Sequence, residues 1–296
     1  LQEEKWVPGR RAEILRRHLQ LTQKAAEQGA RFILWPESST LEQIATSADL
    51  RHQLQDLADR YKTVLVVGSV HQVEGGAYTN AAFMLLPHRG LVDRYDKVRL
   101  VPFGERVPFP SILFFIKPLV EAVGSFVPGK DLRPLGLRLP PPAGQAWPPP
   151  VGVVICYELA YPGLVAAEVR GGATFLATIT NDAWFGESSA PYQHFAMAAV
   201  RAVETRRWLL RAANTGISGL ISPRGEVVAS TSLFQSALVE GRIIPHHDLT
   251  LAVRWPWAMP AACVMFLAAA LAWSGLAGQQ EFHRLFHSGG RISHAA

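Results

Sequence analysis

From Trp255 to Gln280 the chain carries no charged residue, and the segment WAMPAACVMFLAAALAWSGLA (257–277) is almost entirely apolar. The hydrocarbon core of a bilayer takes about 20 such residues, whereas a buried helix of a water-soluble domain normally keeps a polar face. Trp255, Trp257 and Trp273 stand towards the ends of the run, where aromatic belts lie. The pattern predicts a transmembrane helix over 255–278, followed by a tail at 279–296. That tail holds Arg284 and Arg291 with three histidines and one acid. The positive-inside tendency assigns it to the cytoplasm and the preceding domain to the other face.

The preceding 250 residues read differently. Ile14, Leu15, Leu19, Ala25 and Ala26 recur at helical spacing over 10–28, and Gly29 ends the pattern. RFILW (31–35) is a short strand broken by Pro36, residues 48–60 repeat the helical pattern, and TVLVVGSV (63–70) is a second strand. YTNAAFMLL (78–86) and GLVDRYDK (90–97) flank a turn at 87–90 as a hairpin. VGVVI (151–155), TFLATI (174–179), WLLRAA (208–213), GISGLIS (216–222) and VVAS (227–230) are further strands, with helices at 162–170 and 190–206 between them. Strands alternating with helices, some strands hairpin-linked, predict an α/β domain over 1–250 with a mixed sheet covered by helices. Two segments depart from this: the apolar stretch 107–128 is either a core helix or an arm that meets lipid, and LPPPAGQAWPPP (139–150) is a proline-rich loop.

A chain of 296 residues with 49% hydrophobic and 18% charged residues is not disordered. Its net charge of +5 is scattered, with no basic run interleaved with aromatics, so nucleic acid is not an expected partner. A mildly basic surface suits anionic lipid headgroups. Two cysteines make no disulfide framework, and no metal-ligand spacing is present, so neither a metal nor another cofactor is expected. A start at Leu1 without a signal-like segment reads as the C-terminal piece of a longer protein or as a processed chain.

Three chemistry-bearing residues each follow a predicted strand: Glu37 in LWPE, Lys97 in RYDKVRL and Cys156 in VVICYE. Open α/β sheets gather ligand-binding groups at the carboxyl ends of their strands, so a carboxylate, an ammonium and a thiol can meet in one pocket. The thiolate is the nucleophilic form of cysteine. A carboxylate within reach takes the thiol proton as general base, and a fixed ammonium stabilises the oxyanion of a tetrahedral intermediate. Such a set suffices for acyl transfer through a thioester without histidine.

At these residues the sequence resembles the nitrilase superfamily, and most closely its apolipoprotein N-acyltransferase branch. The resemblance rests on WPES (35–38), YDKVRLVPFGERVPF (95–109), ICYE (155–158) and TNDAWFGESSAPYQHFAMAAVRAVETRRWLLRAANTG (180–216). It implies an α-β-β-α sandwich preceded by a membrane bundle and a first strand that lie before Leu1. It implies Glu37 as general base, Lys97 as oxyanion stabiliser, Cys156 as nucleophile and Glu105 as a second glutamate supporting Lys97. It places Trp6, Tyr157 and Glu158 at the substrate. It further implies a phospholipid acyl donor, an apolipoprotein acceptor and a bacterial inner membrane, with the catalytic domain on the periplasmic or outer face.

Each residue has a plainer reading. Cys156 alone would be strand packing, Glu37 a helix-terminal carboxylate, and Lys97 a solvated charge; Glu105 and Glu158 could be structural ion-pair partners. Asn181 and Asp182 read as loop-capping residues, and Cys263 as lipid-facing or packed in the apolar helix, with no chemistry. Two further functional readings stand beside acyl transfer. One is a membrane-tethered amidase or carbamoyl hydrolase using the same triad with water. The other is a membrane-anchored binding module with a dead site, against which an intact Glu–Lys–Cys set argues.

Overall fold

The computed structural model describes residues 8–40, 42–105, 126–139 and 149–287, with side chains as far as Ser274. The chain divides into two compact units at Arg254/Trp255. The first begins with helix α1 (Pro8–Glu27), which leads to β1 (Phe32–Leu34). Helix α2 (Ala48–Tyr61) then precedes β2 (Val64–Gln72), β3 (Tyr78–Leu86) and β4 (Gly90–Asp96). These strands form one sheet in the order β1-β2-β3-β4, parallel between β1 and β2 and antiparallel thereafter. By that pairing β1, β2 and β4 run in the same direction.

The second sheet is β5 (Val151–Ile155), β6 (Phe175–Asn181), β7 (Leu209–Asn214), β8 (Gly219–Ile221) and β9 (Val227–Ser230), in that order. Its first three strands are parallel, joined through α3 (Pro162–Arg170) and α4 (Ala190–Thr205), and the rest are antiparallel. A short helix α5 (Leu251–Arg254) ends the unit.

Period-two alternation explains the layers. Val64, Val66, Ala82 and Met84 of the first sheet share one core with Val153, Ile155, Phe175, Ala177 and Ile179 of the second. Their chain neighbours Leu65, Val67, Ala81 and Phe83 face the other way, onto Leu50, Leu54 and Ala58 of α2 and Leu15 and Leu19 of α1. Val154 and Leu176 likewise turn outward onto Leu164, Val165 and Val169 of α3 and Ala198 and Ala202 of α4. The unit is an α-β-β-α sandwich. Both sheets have helices on their outer faces, so their central strands read as continuous apolar runs.

The second unit contains helix α6 (Ala258–His287), which extends beyond the span expected from the apolar run. Among the described residues no helix is long and apolar enough to cross a membrane. Of the transmembrane span expected at 255–278, residues 258–278 are helical, but no membrane-spanning helix is shown among the described residues. Trp6, residues 107–125 of the expected arm, most of the proline-rich loop and the end of the tail lie outside the described residues.

Candidate active site

The carboxyl ends of strands from both sheets come together at one end of the sandwich. Glu37 and Lys97 follow β1 and β4, which run in the same direction, so both emerge at the same edge of the first sheet. Cys156 follows β5 directly. Asn214, at the end of β7, donates from its side-chain amide to the backbone oxygen of Glu37 at 2.6 Å, tying the carboxyl ends of the two sheets together. The chain reaches Glu37 through a close crossing: a Cβ on Gly68 of β2 would lie 2.2 Å from the Pro36 carbonyl oxygen, so only glycine lets the backbones pass. Beyond the crossing, the Ser39 amide donates to the Gly68 carbonyl at 3.0 Å and keeps this segment on the sheet.

Lys97 is buried, and its Nζ lies 2.8 Å from Glu105 Oε1 and 3.5 Å from Glu37 Oε1. Burial works against its charge, but the facing Glu37, Cys156 and Glu105 outweigh it and hold the ammonium above its ordinary range. The second oxygen of Glu105 accepts from the Val101 amide at 2.8 Å, so this carboxylate is fixed at both ends. Glu37 is buried as well, and its Oε1 also accepts from Asn80 Nδ2 at 2.5 Å. Among the described residues its Oε2 has no hydrogen-bond partner. That oxygen is a buried acceptor held in place and left open, as a general base requires.

Cys156 is half-buried and adopts φ +52°, a left-handed conformation that costs a non-glycine residue roughly 1–2 kcal/mol. Burial and the Glu37 carboxylate push its thiol up to about 12, against the pull of Lys97 and a hydrogen bond with the Thr180 side chain. At neutral pH the group is a thiol, and its proton must leave as it attacks. The same three groups, Glu37, Lys97 and Cys156, therefore act on one another electrostatically.

Glu158 closes the tight turn Cys156–Ala160 from below. It accepts from the Ile155 amide at 2.8 Å, the Val98 amide at 2.7 Å, the Arg99 amide at 2.9 Å and the Tyr95 hydroxyl at 2.9 and 3.0 Å. It thus joins the residues around Lys97 to the residue before Cys156. Burial raises its pKa in spite of these donors. Tyr157 points outward, 37% exposed, with its ring edge-to-face on Tyr161 at 5.3 Å.

Of the residues expected from the sequence, Glu37, Lys97, Glu105, Cys156 and Glu158 come together; Tyr157 lies next to them on the surface. Asn181 accepts from the Ala183 amide at 3.4 Å, as a capping residue does. Asp182 does more than cap: it is buried and paired with Arg211 at 2.8 Å. Asn80, Tyr95 and Asn214 were not anticipated. Tyr95 was within reach, because it stands two residues before Lys97 and so shares its side of the strand. Asn80 and Asn214 act through pairings across strands far apart in sequence, which leave no local signal.

The family model for carbon–nitrogen hydrolase matches residues 3–247. An apolipoprotein N-acyltransferase from Geobacter metallireducens is 40% identical over 243 residues, covering 81% of this chain and 45% of that protein. Another, from Agrobacterium fabrum, is 36% identical over 238 residues, covering 77% of this chain and 43% of that protein. The chain thus spans about half the length of the curated relatives it matches. Among solved structures, an amidase from Nesterenkonia sp. has a TM-score of 0.54 at 22% identity, covering 75% of this chain and 81% of the other, and shows the shared fold. With its sandwich, its strand-end cysteine and a family match over most of its length, the chain belongs to the carbon–nitrogen hydrolase family.

Proposed function

We propose that this chain is the catalytic part of an N-acyltransferase. It moves a fatty acyl chain from a phospholipid, through a thioester on Cys156, to the α-amine of an N-terminal diacylglyceryl-cysteine on a lipoprotein. The observation that carries the reading is the buried Glu37–Lys97–Glu105 cluster acting on a strand-end thiol. The names of the relatives supply N-acyl transfer and an apolipoprotein acceptor, and the sequence resemblance supplies the phospholipid donor.

In the first half-reaction Glu37 takes the thiol proton as Cys156 Sγ attacks the ester carbonyl carbon. The ammonium of Lys97 faces the oxyanion that forms. Collapse breaks the ester C–O bond, and the departing lysophospholipid oxygen receives the proton from Glu37. In the second half the lipoprotein amine attacks the thioester carbon and gives its proton to Glu37. Collapse breaks the C–S bond and returns that proton to Cys156. Because the resting group is a thiol pushed up to about 12, the base is needed in the first step rather than being optional.

Helix α6 fits a lipid-facing role. Met265, Phe266, Leu271 and Trp273 along it are exposed, and such apolar area is unfavourable in water at about 25 cal/mol per Å². In this reading it anchors the chain in the bacterial inner membrane, with the catalytic unit on the periplasmic or outer face and the tail inside.

Intact-protein mass spectrometry after incubation with phospholipid tests the proposal. An acyl adduct on Cys156 is expected, discharged as an N-acyl product by a diacylglyceryl-cysteine peptide. An adduct discharged only by water, with the peptide left unmodified, would favour a tethered hydrolase instead.

A further inference from the structure

The carboxyl end of the second sheet carries a buried charged network that the proton transfers above do not use. His194 of α4 lies with Nε2 3.1 Å from the Cys156 backbone oxygen and Nδ1 3.0 Å from Asp182 Oδ1. Arg211 of β7 places Nη2 2.8 Å from Asp182 Oδ2 and 3.2 Å from the same His194 Nδ1, and donates from Nε to the Ile217 carbonyl at 3.1 Å. The Thr180 hydroxyl donates to Asp182 Oδ1 at 3.0 Å. All four side chains are buried. Three separate elements thus converge on one imidazole, and that imidazole ends on the carbonyl of the residue that bears the thiol.

The proton arrangement follows from the partners. A carbonyl only accepts, so His194 Nε2 carries a hydrogen. Nδ1 has a partner in either state: protonated it donates to Asp182, and bare it accepts from Arg211. The ring is therefore held in one orientation whether it is neutral or charged. Asp182 in turn has no slack, because a Cβ on Gly216 would lie 2.1 Å from its Oδ2.

Cys156 needs such a hold. Its φ of +52° is a conformation that a cysteine leaves readily unless its surroundings fix it. Glu158 fixes the amide of Ile155 on one side of the residue, and His194 fixes the carbonyl of Cys156 itself on the other. We propose that His194, oriented by Asp182 and Arg211, is a positioning residue that holds the backbone of Cys156 in its left-handed conformation and so aims the thiol at Glu37 and Lys97. The inference rests on the reading of Cys156 as the nucleophile.

The test measures alkylation of Cys156 by iodoacetamide in the full chain, alongside acyl transfer, for His194→Ala and His194→Gln. The glutamine amide nitrogen can take the place of Nε2 and donate to the same carbonyl. His194→Ala is expected to slow alkylation about tenfold, the population lost when a strained conformation is released. It should lower kcat in step, with KM for phospholipid within about twofold. His194→Gln should recover most of both rates. If His194→Ala does not fold, His194→Met fills the volume without a donor and takes its place. An apolar variant that reacts as fast as His194→Gln, or a glutamine variant that falls as far as the apolar one, overturns the proposal. A wild-type chain that alkylates normally yet forms no acyl adduct would count against the acyl-transfer reading while leaving this comparison in force.

Discussion

Glu37 and Glu158 are both buried carboxylates beside Lys97, yet their surroundings differ in one respect that decides their uses. Glu158 receives three backbone amides and a tyrosine hydroxyl, so both of its oxygens are occupied. Glu37 shares one oxygen between Asn80 and Lys97, and its other oxygen has no partner among the described residues. A saturated carboxylate ties chain segments together, whereas a half-saturated one keeps a lone pair for a proton in transit. Burial alone does not mark a catalytic acid; an open acceptor next to a nucleophile does.

The largest effect should come from the open carboxylate and the thiol it serves. Cys156→Ser should abolish the acyl adduct with the fold retained, since a hydroxyl is a far poorer nucleophile than a thiolate. Glu37→Gln should lower the acylation rate by about 10²–10⁴ with little change in melting temperature. A Glu37→Gln protein that unfolds rather than losing activity would erase the contrast with Glu158.

Lys97→Met should cost acylation about a hundredfold, as for one oxyanion donor. The pH profile of Cys156 alkylation separates the two charges. Burial and Glu37 push the thiol up and Lys97 pulls it down. The midpoint should therefore move to lower pH in Glu37→Gln and to higher pH in Lys97→Met. Midpoints that moved together would show that neither charge governs the thiol.

Glu158→Gln should act mainly on stability. It sets an NH2 group where backbone amides now donate, and breaking such a buried network costs about 3 kcal/mol. At about 2–4 °C per kcal/mol for a domain of this size, thermal melting would register the loss directly. Loss of acylation with an unchanged melt would make Glu158 a participant like Glu37.

The smallest effect on activity concerns a third carboxylate. Both oxygens of Glu168 in α3 are buried and have no hydrogen-bond partner among the described residues, and burial with the nearby Glu158 charge pushes it up to about 9. Between its ordinary value and about 9 the unfolded chain releases a proton that the folded chain keeps. Stability from this group is thus present in acid and is lost as pH rises through that window. Glu168→Gln should melt higher than the wild type at pH 8.5 and no higher at pH 4. An equal gain at both pH values would show that the group does not titrate there.

Much of this molecule is determined by sequence alone. Apolar runs at period two and period 3.6 place the strands and helices, because which face is buried is written into local spacing. β3, β5 and α3 coincide with the residues expected, and β1, β2, β6 and β8 differ only at their ends, where pairing continues or stops for reasons outside the segment. Glu37, Lys97 and Cys156 are legible too, because a charged residue or thiol after an apolar strand is a local anomaly. What only the tertiary structure decides is which side chains serve those three. Asn80, Asn214, His194 and Arg211 acquire their places through strand register and helix packing between segments distant in sequence. A hydrogen bond joins two atoms wherever the fold brings them, so neither partner need carry any sign of the other along the chain.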